Sequence, residues 1–218
     1  EGILYAQLVN ESQFDHGITH DVSKERGEMI KKHISIYEQK LNECPFIEKW
    51  TPNRSESILH SQSQSDIFND KDESHKLLLR FIGKNFFDIH GLKITDGELP
   101  DSEKMRLDQN IVLNETAMKL FGYKEVEEAF IRSKEALWFS YNTKTQKVVQ
   151  GGLEPMPVQA VVSDFYSGHV SEGVKPILFI VNNERMEGSV AITVQKGKEK
   201  ETIDYLKQMV KEATGSDE

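Results

Sequence analysis

Apolar residues recur along this chain in two rhythms, separated by stretches rich in Ser, Asn, Asp and Gly. Residues 3 to 9, Ile-Leu-Tyr-Ala-Gln-Leu-Val, read as a strand, and a polar connection containing Gly17 follows. Asp21 or Ser23 can cap a helix in which Met29, Ile30, Ile34, Tyr37 and Leu41 recur at helical spacing. Lys24, Glu25, Lys31, Lys32 and Lys40 occupy its other side, and Pro45 fits its end. From Thr51 to Ser74 the chain is polar, with a weak strand signal only at Ile58 and Leu59. A mobile loop is expected between Ser61 and Ser74, because few apolar groups are available there to offset the entropy of ordering.

The densest patterning lies between Leu77 and Gly122. Leu77 to Ile82 predicts a strand, and Phe86-Phe87-Asp88-Ile89-His90 a short helix ended by a left-handed Gly91. Leu92 and Ile94 resume an extended pattern, and Gly97 suits a turn before a polar loop from Glu98 to Asn110. Ile111-Val112-Leu113 predicts a short buried strand, with Asn114 as N-cap of a helix whose apolar side is Ala117, Met118, Leu120 and Phe121. Gly122 can end that helix, and an acidic helix or turn follows from Glu125 to Ala129. Strand candidates at residues 136–141, 147–150 and 158–162 are spaced closely enough for a small curled sheet or barrel. Asp164 is expected to cap the last of these, with Phe165 packed beneath the loop. Pro176 precedes a strand at 177–181, then a strand at 189–194 leads to a helix at 200–213 faced by Ile203, Leu206, Met209 and Val210. The order is mixed α+β, with strand and helix at both ends and strand-rich material between them.

Composition narrows the function classes. At 218 residues the chain can bury a sizeable core without disulfides, and its single cysteine, Cys44, can form no internal bridge. A net charge of −9 argues against gripping nucleic acid, which rewards clustered Lys and Arg. The one basic cluster, Lys196, Lys198 and Lys200, is diluted by Glu199 and Glu201. No apolar run approaches the roughly 20 residues that cross a bilayer. The chain opens on a strand-like segment without a leader pattern, as a domain excised from a longer protein would.

Candidate chemistry is thin. His16 and His20, with Asp15 and Asp21, have residue types that bind cations, but Gly17 interrupts any shared helical face and a helix-entry loop accounts for them. His33 falls within the first helix, and His90 precedes Gly91, where a histidine interacts well with a helix C-terminus. Ser163, Asp164 and His169 supply the types of a hydrolase triad without the Gly-x-Ser-x-Gly elbow. Glu98, Asp101, Glu103 and Asp108 lack EF-hand spacing, so a solvated acidic loop accounts for them. Gly151-Gly152 lacks the helix that a phosphate cradle requires. Asn10, Asn53 and Asn114 head glycosylation sequons, but the N-cap role already explains Asn114. Neither a cofactor nor catalytic activity is expected.

The ordered set Asn85-Phe86-Phe87-Asp88-Ile89-His90-Gly91-Leu92-Lys93-Ile94-Thr95-Asp96-Gly97, then Ile111 to Gly122, then Val161-Val162-Ser163-Asp164-Phe165-Tyr166 with Val174-Lys175-Pro176, resembles the MacB-like periplasmic core domain of FtsX-like ABC transporter permeases, Bacteroidetes-type versions above all. The likeness is clearest over residues 77 to 212. Relatives commonly carry an Asn-Pro-x-Gly-Lys-like turn after the second block, where this chain has Lys124-Glu125-Val126-Glu127-Glu128-Ala129.

The resemblance implies a two-lobed domain inserted between the first two transmembrane helices of a bacterial inner-membrane permease, on the periplasmic or extracytoplasmic side. Residues 1–89 and 182–218 would form a discontinuous membrane-proximal α/β lobe, and 90–181 an inserted distal β-rich lobe. Its partners would be the transmembrane helices of the same permease, a cytoplasmic ABC ATPase subunit or domain, a second permease copy and a periplasmic partner protein. The implied role is non-catalytic mechanotransmission, coupling ATP-driven motion to efflux, lipoprotein handling or partner activation. Phe86, Phe87, Gly91, Gly97, Asn114, Gly122, Asp164, Phe165 and Tyr166 are the expected structural or interaction residues. The competing expectation is a solute- or peptide-binding sensor, with Phe165, Tyr166 and the 61–74 segment on its recognition surface.

Overall fold

The computed structural model describes residues 2–8, 20–52, 64–99, 110–142, 147–166, 171, 173–182 and 189–214. The chain divides into two compact units, one made of residues 1–55 and 184–218 and the other of residues 56–183. The expected boundaries after 89 and 181 differ from this division. The reason is hydrogen bonding: the strand at Ser74–Gly83 pairs along its length with the one at Ile177–Asn182, so a cut after residue 89 would split a sheet.

The first unit holds β1 (Ile3–Gln7), α1 (His20–Glu43), β2 (Ile47–Pro52), β12 (Ser189–Val194) and α4 (Glu199–Thr214). Its sheet is antiparallel in the order β1-β12-β2, so the strand latest in sequence is the central one. Leu4, Ile192 and Trp50 lie in one cross-strand row, and this face packs with Tyr37 and Leu41 of α1 and Leu206 and Met209 of α4. Polar ties fix the helices in place. Trp50 Nε1 donates to Asn42 Oδ1 at 2.9 Å, and Tyr205 donates its hydroxyl hydrogen to the Lys40 carbonyl at 2.9 Å. The buried stripe of α4 differs from the expected one: Ile203 is 41% exposed, whereas Thr202 is fully buried. Thr202 tolerates burial because its hydroxyl donates to the Lys198 carbonyl at 2.8 Å.

The second unit holds β3 (Gln64–Phe68), β4 (Ser74–Gly83), α2 (Phe86–Ile89), β5 (Ile94–Gly97), β6 (Ile111–Asn114), α3 (Glu115–Phe121), β7 (Phe130–Ser133), β8 (Trp138–Asn142), β9 (Lys147–Gly151), β10 (Met156–Val162) and β11 (Ile177–Asn182). Seven strands run in the order β5-β10-β6-β11-β4-β3-β7, and β7 also pairs with β10, which closes the sheet on itself. The pairs β10–β6 and β11–β4 are parallel. Side chains alternate between the two faces along β4, β6 and β11, while β10 is bulged between Val158 and Ala160. Leu77, Ile111, Leu113, Leu178 and Ile180 pack with Ala117, Met118 and Phe121 of α3. Leu78, Val112, Ile177, Phe179 and Val181 pack on the opposite face with Phe86 and Phe87. Because both faces are covered, β11 is an unbroken apolar run from Ile177 to Val181.

Three strands depart from the expected pattern. Residues 64–68, expected within a mobile loop, form β3 and pair with both β4 and β7. The following turn is held by polar rather than apolar groups. Asn69 Oδ1 accepts from the Lys71 and Glu73 backbone N–H groups, its Nδ2 donates to the Glu73 carboxylate, and Asp72 takes a left-handed φ of 66°. Strands β2 and β7 were not signalled either, since Glu48-Lys49 breaks the apolar run of one and the other is four residues long. The candidates at Ile58 and Leu59 lie outside the described residues. Nor do the strands near 136–141, 147–150 and 158–162 form one curled sheet: β8 and β9 pair with each other, while β10 joins the larger sheet.

Candidate functional site

Asn114, the last residue of β6, makes four side-chain hydrogen bonds. Its Oδ1 accepts from Ala117 N at 3.1 Å, capping α3, and from Ile177 N at 2.8 Å, where β11 begins. Its Nδ2 donates to Asp164 Oδ1 at 2.8 Å and to the Lys175 carbonyl at 2.9 Å. All four bonding positions of the amide are therefore filled in a fully buried residue. Asp164 is bound as tightly: Thr116 donates its backbone N–H to Oδ1 at 2.9 Å and its hydroxyl to Oδ2 at 2.7 Å. Together Asn114, Thr116 and Asp164 tie the start of α3 to the loop after β10 and to the start of β11. Asn114 was legible as the N-cap of α3, whereas Asp164, expected to cap the strand it follows, bonds instead to Asn114 and Thr116. Thr116 was not legible, because nothing local marks a hydroxyl that pairs 48 positions away.

The glycine and aromatic residues serve shape. Both short helices end in a paired-bond left-handed cap: Gly91 N bonds to Asp88 O and Leu92 N to Phe87 O, then Gly122 N to Lys119 O and Tyr123 N to Met118 O. Phe86 and Phe87 are buried against Phe179 at ring distances of 6.1 and 5.3 Å, and Phe165 lies 6.2 Å from the same ring. Tyr166 is 53% exposed. Gly97 is required by close approach as well as by its φ of 70°, since a Cβ there would sit 2.2 Å from the Gln159 carbonyl oxygen. Gly151-Gly152 has a packing role: a Cβ on Gly151 would fall 2.0 Å from the Trp138 ring, and one on Gly152 2.7 Å from Leu137.

The remaining candidates do not converge. Ser163 Oγ accepts from Lys93 N at 3.1 Å and Ser163 N donates to Lys93 O, so this serine extends the β5–β10 pairing, while His169 lies outside the described residues. Asp15, His16, Asp101, Glu103, Asp108, Asn10 and Asn53 also lie outside them, as do the side chains of His20 and Asp21. Among the described residues there is no group of three His, Cys, Asp or Glu side chains able to hold a metal. His90 stacks on Phe86 at 4.3 Å and its Nδ1 lies 2.8 Å from the Phe86 carbonyl, which requires the Nδ1–H tautomer. Burial holds its pKa below the ordinary histidine value, partly opposed by that bond. His33 sits 6.4 Å from the Tyr37 ring, and Cys44 is buried and free.

Sequence reasoning missed one concavity. In the first unit, β1 and α4 border a groove of about 1150 Å³ floored by Leu4, Ala6, Leu8, Ile203, Leu206 and Val210. Ile203 falls here, on the flank of the buried stripe, which explains its exposure.

No protein-family model matches the chain, and no curated protein matches it. Its structure is similar to that of the periplasmic region of MacB from Actinobacillus actinomycetemcomitans, with 20% identity, 84% of this chain and 75% of that one covered, and a TM-score of 0.54. It is also similar to a domain assigned to a permease protein from Porphyromonas gingivalis, with 14% identity, coverage of 80% and 74%, and a TM-score of 0.51. At these identities the likeness establishes the fold: this chain has the α+β architecture of MacB-like periplasmic domains.

Proposed function

We propose that this chain is the extracytoplasmic domain of an ABC transporter permease in a bacterial inner membrane, non-catalytic, and that it transmits ATP-driven conformational change to export, lipoprotein handling or a partner protein. The observation that carries the reading is the fold shared with the periplasmic region of MacB. The polar groups best placed for chemistry support it, because Ser163, Asp164 and Asn114 are engaged in structural bonds. A closed sheet packed on both faces suits transmission, since dense cores move as bodies rather than deforming continuously. On this reading the first unit is membrane-proximal and the second distal. The partners are transmembrane helices of the same protein, a cytoplasmic ABC ATPase, a second permease copy and a periplasmic partner protein.

The test is a reversible disulfide engineered between the two units of the intact permease, in a Cys44→Ser background. Oxidation should abolish coupled activity while nucleotide binding persists, and reduction should restore it. Coupled activity that survives complete crosslinking rejects the transmission role. A second reading, a solute- or peptide-binding sensor, is favoured by the apolar groove of the first unit. It requires saturable binding of a peptide or solute to the 218-residue chain in calorimetry, lost in Ile203→Glu.

A further inference from the structure

Strand β6 holds three apolar residues, Ile111-Val112-Leu113, between Asn110, which precedes it, and Asn114, which ends it, and both asparagines bond to β11. At one end the Asn114 amide takes Lys175 O and Ile177 N together, spanning Pro176, whose ring nitrogen has no hydrogen to donate. The side chain thus stands in for the peptide group that a neighbouring strand would present. At the other end Asn110 Nδ2 donates to the Val181 carbonyl at 2.7 Å, while Val181 N donates to Asn110 O at 3.0 Å. Between the clamps, Leu178, Phe179 and Ile180 pair with Leu113, Val112 and Ile111. Asn110 Oδ1 is buried with no hydrogen-bond partner, so the amide is kept in the core at a cost, and its donor to β11 is what it supplies.

The strand held this way is one of the two that join the second unit to the first in sequence, the other being β3, which follows β2. From Asn182 the chain runs through residues 183–188 into β12, the central strand of the other sheet. Central strand is therefore joined to central strand. Hydrogen bonds across β11 run transverse to it, so a pull along its axis loads the β4 ladder, the β6 ladder and both asparagine clamps in shear at once.

We propose that β6 is a two-point staple on β11 and that β11 is the strand through which the second unit takes up load. This inference rests on the force-transmitting reading of the domain. It is tested on the 218-residue chain in optical tweezers, in a Cys44→Ser background, with handles at Glu115, which follows β6 at the end where β11 begins, and at Glu184, past the end of β11, to load the β6–β11 ladder in shear, and at Glu73 and Glu127 to bypass it. Asn110→Ala should shorten the folded lifetime at constant force about tenfold with the first handle pair, as loss of one buried hydrogen bond implies, and less than about twofold with the second. Val112→Ala, which opens a cavity in the same strand, should shorten both lifetimes alike. Equal shortening by Asn110→Ala with both handle pairs, or no shortening with either, overturns the staple. If the alanine variant does not fold, Asn110→Ser carries the same test, because its hydroxyl is too short to reach Val181. A failed staple with an intact crosslink result in the permease would leave the transmission role standing, and the reverse outcome would reject that role alone.

Discussion

The two central strands, β12 and β11, have similarly apolar sequences, Ser-Val-Ala-Ile-Thr-Val and Ile-Leu-Phe-Ile-Val-Asn, yet they meet different surroundings. In β12, Val190, Ile192 and Val194 pack with the helices; on the alternate positions Ser189 and Thr193 stay partly exposed, and only the small Ala191 between them is fully buried, beside Thr51 of β2. In β11 every side chain from Ile177 to Val181 is buried, odd positions against α2 and even positions against α3. The polar interruptions in one strand and their absence in the other thus report how many faces are covered. The same difference assigns stability. The first unit leans on one helix-covered face, whereas the second is a closed sheet that spends its polar residues pinning strand ends.

This contrast can be broken locally, because the chain's two tryptophans fall one in each unit, Trp50 in the first and Trp138 in the second. Phe179→Ala should have the largest effect, lowering the stability of the second unit by about 3–5 kcal/mol in urea titrations followed by Trp138. The Trp50 transition should move much less, and equal shifts at both probes would show the units to be one cooperative body. Asn114→Ala should cost about 2–3 kcal/mol at Trp138, since it removes a helix cap and strands buried partners on Asp164, Lys175 and Ile177. A loss no larger than that of an ordinary cap would deny its role on β11. Gly151→Ala should cost about 1–3 kcal/mol and shift the Trp138 emission, because the new methyl group meets the indole ring. An unchanged spectrum would mean that β9 gives way there at no cost.

The smallest effect concerns pH. Burial keeps the folded-state pKa of His90 below the ordinary value of 6.5, so between the two values the unfolded chain binds more protons than the folded one. Its contribution is therefore intact above about pH 6.5 and is lost as pH falls toward the lower folded value. The Trp138 transition should weaken over that interval in the native chain, and the part due to this residue should vanish in His90→Gln. A slope that persists unchanged in the variant assigns the pH dependence elsewhere.

Residues that work through their own backbone were legible in advance. Gly91 and Gly122 end helices, Asn114 begins one, and Phe86-Phe87 is buried, because each role is set within four or five positions of chain. Residues that work at a distance were not. Asn110 reads as the end of a polar loop, yet it clamps a carbonyl 71 positions away, and Thr116 reads as an ordinary helix residue, yet it holds Asp164. Strand β3 was missed for a related reason: Ile67 is its only deeply buried apolar residue, and its partners β4 and β7 supply the ladder that orders it. Likewise, the groove floored by Leu4, Leu8 and Val210 joins segments from opposite ends of the chain.

By itself the sequence determined the α+β class, the two capped helices, the buried strands and the residues that shape their ends, because local sterics and side-chain periodicity set those features. Only the tertiary structure decided that β7 closes the sheet, that the two glycines at 151 and 152 make room for Trp138 and Leu137, and that two asparagines hold one strand by both ends. Those outcomes depend on which distant groups meet, and a hydrogen-bond donor carries no mark in the sequence of the acceptor it will find.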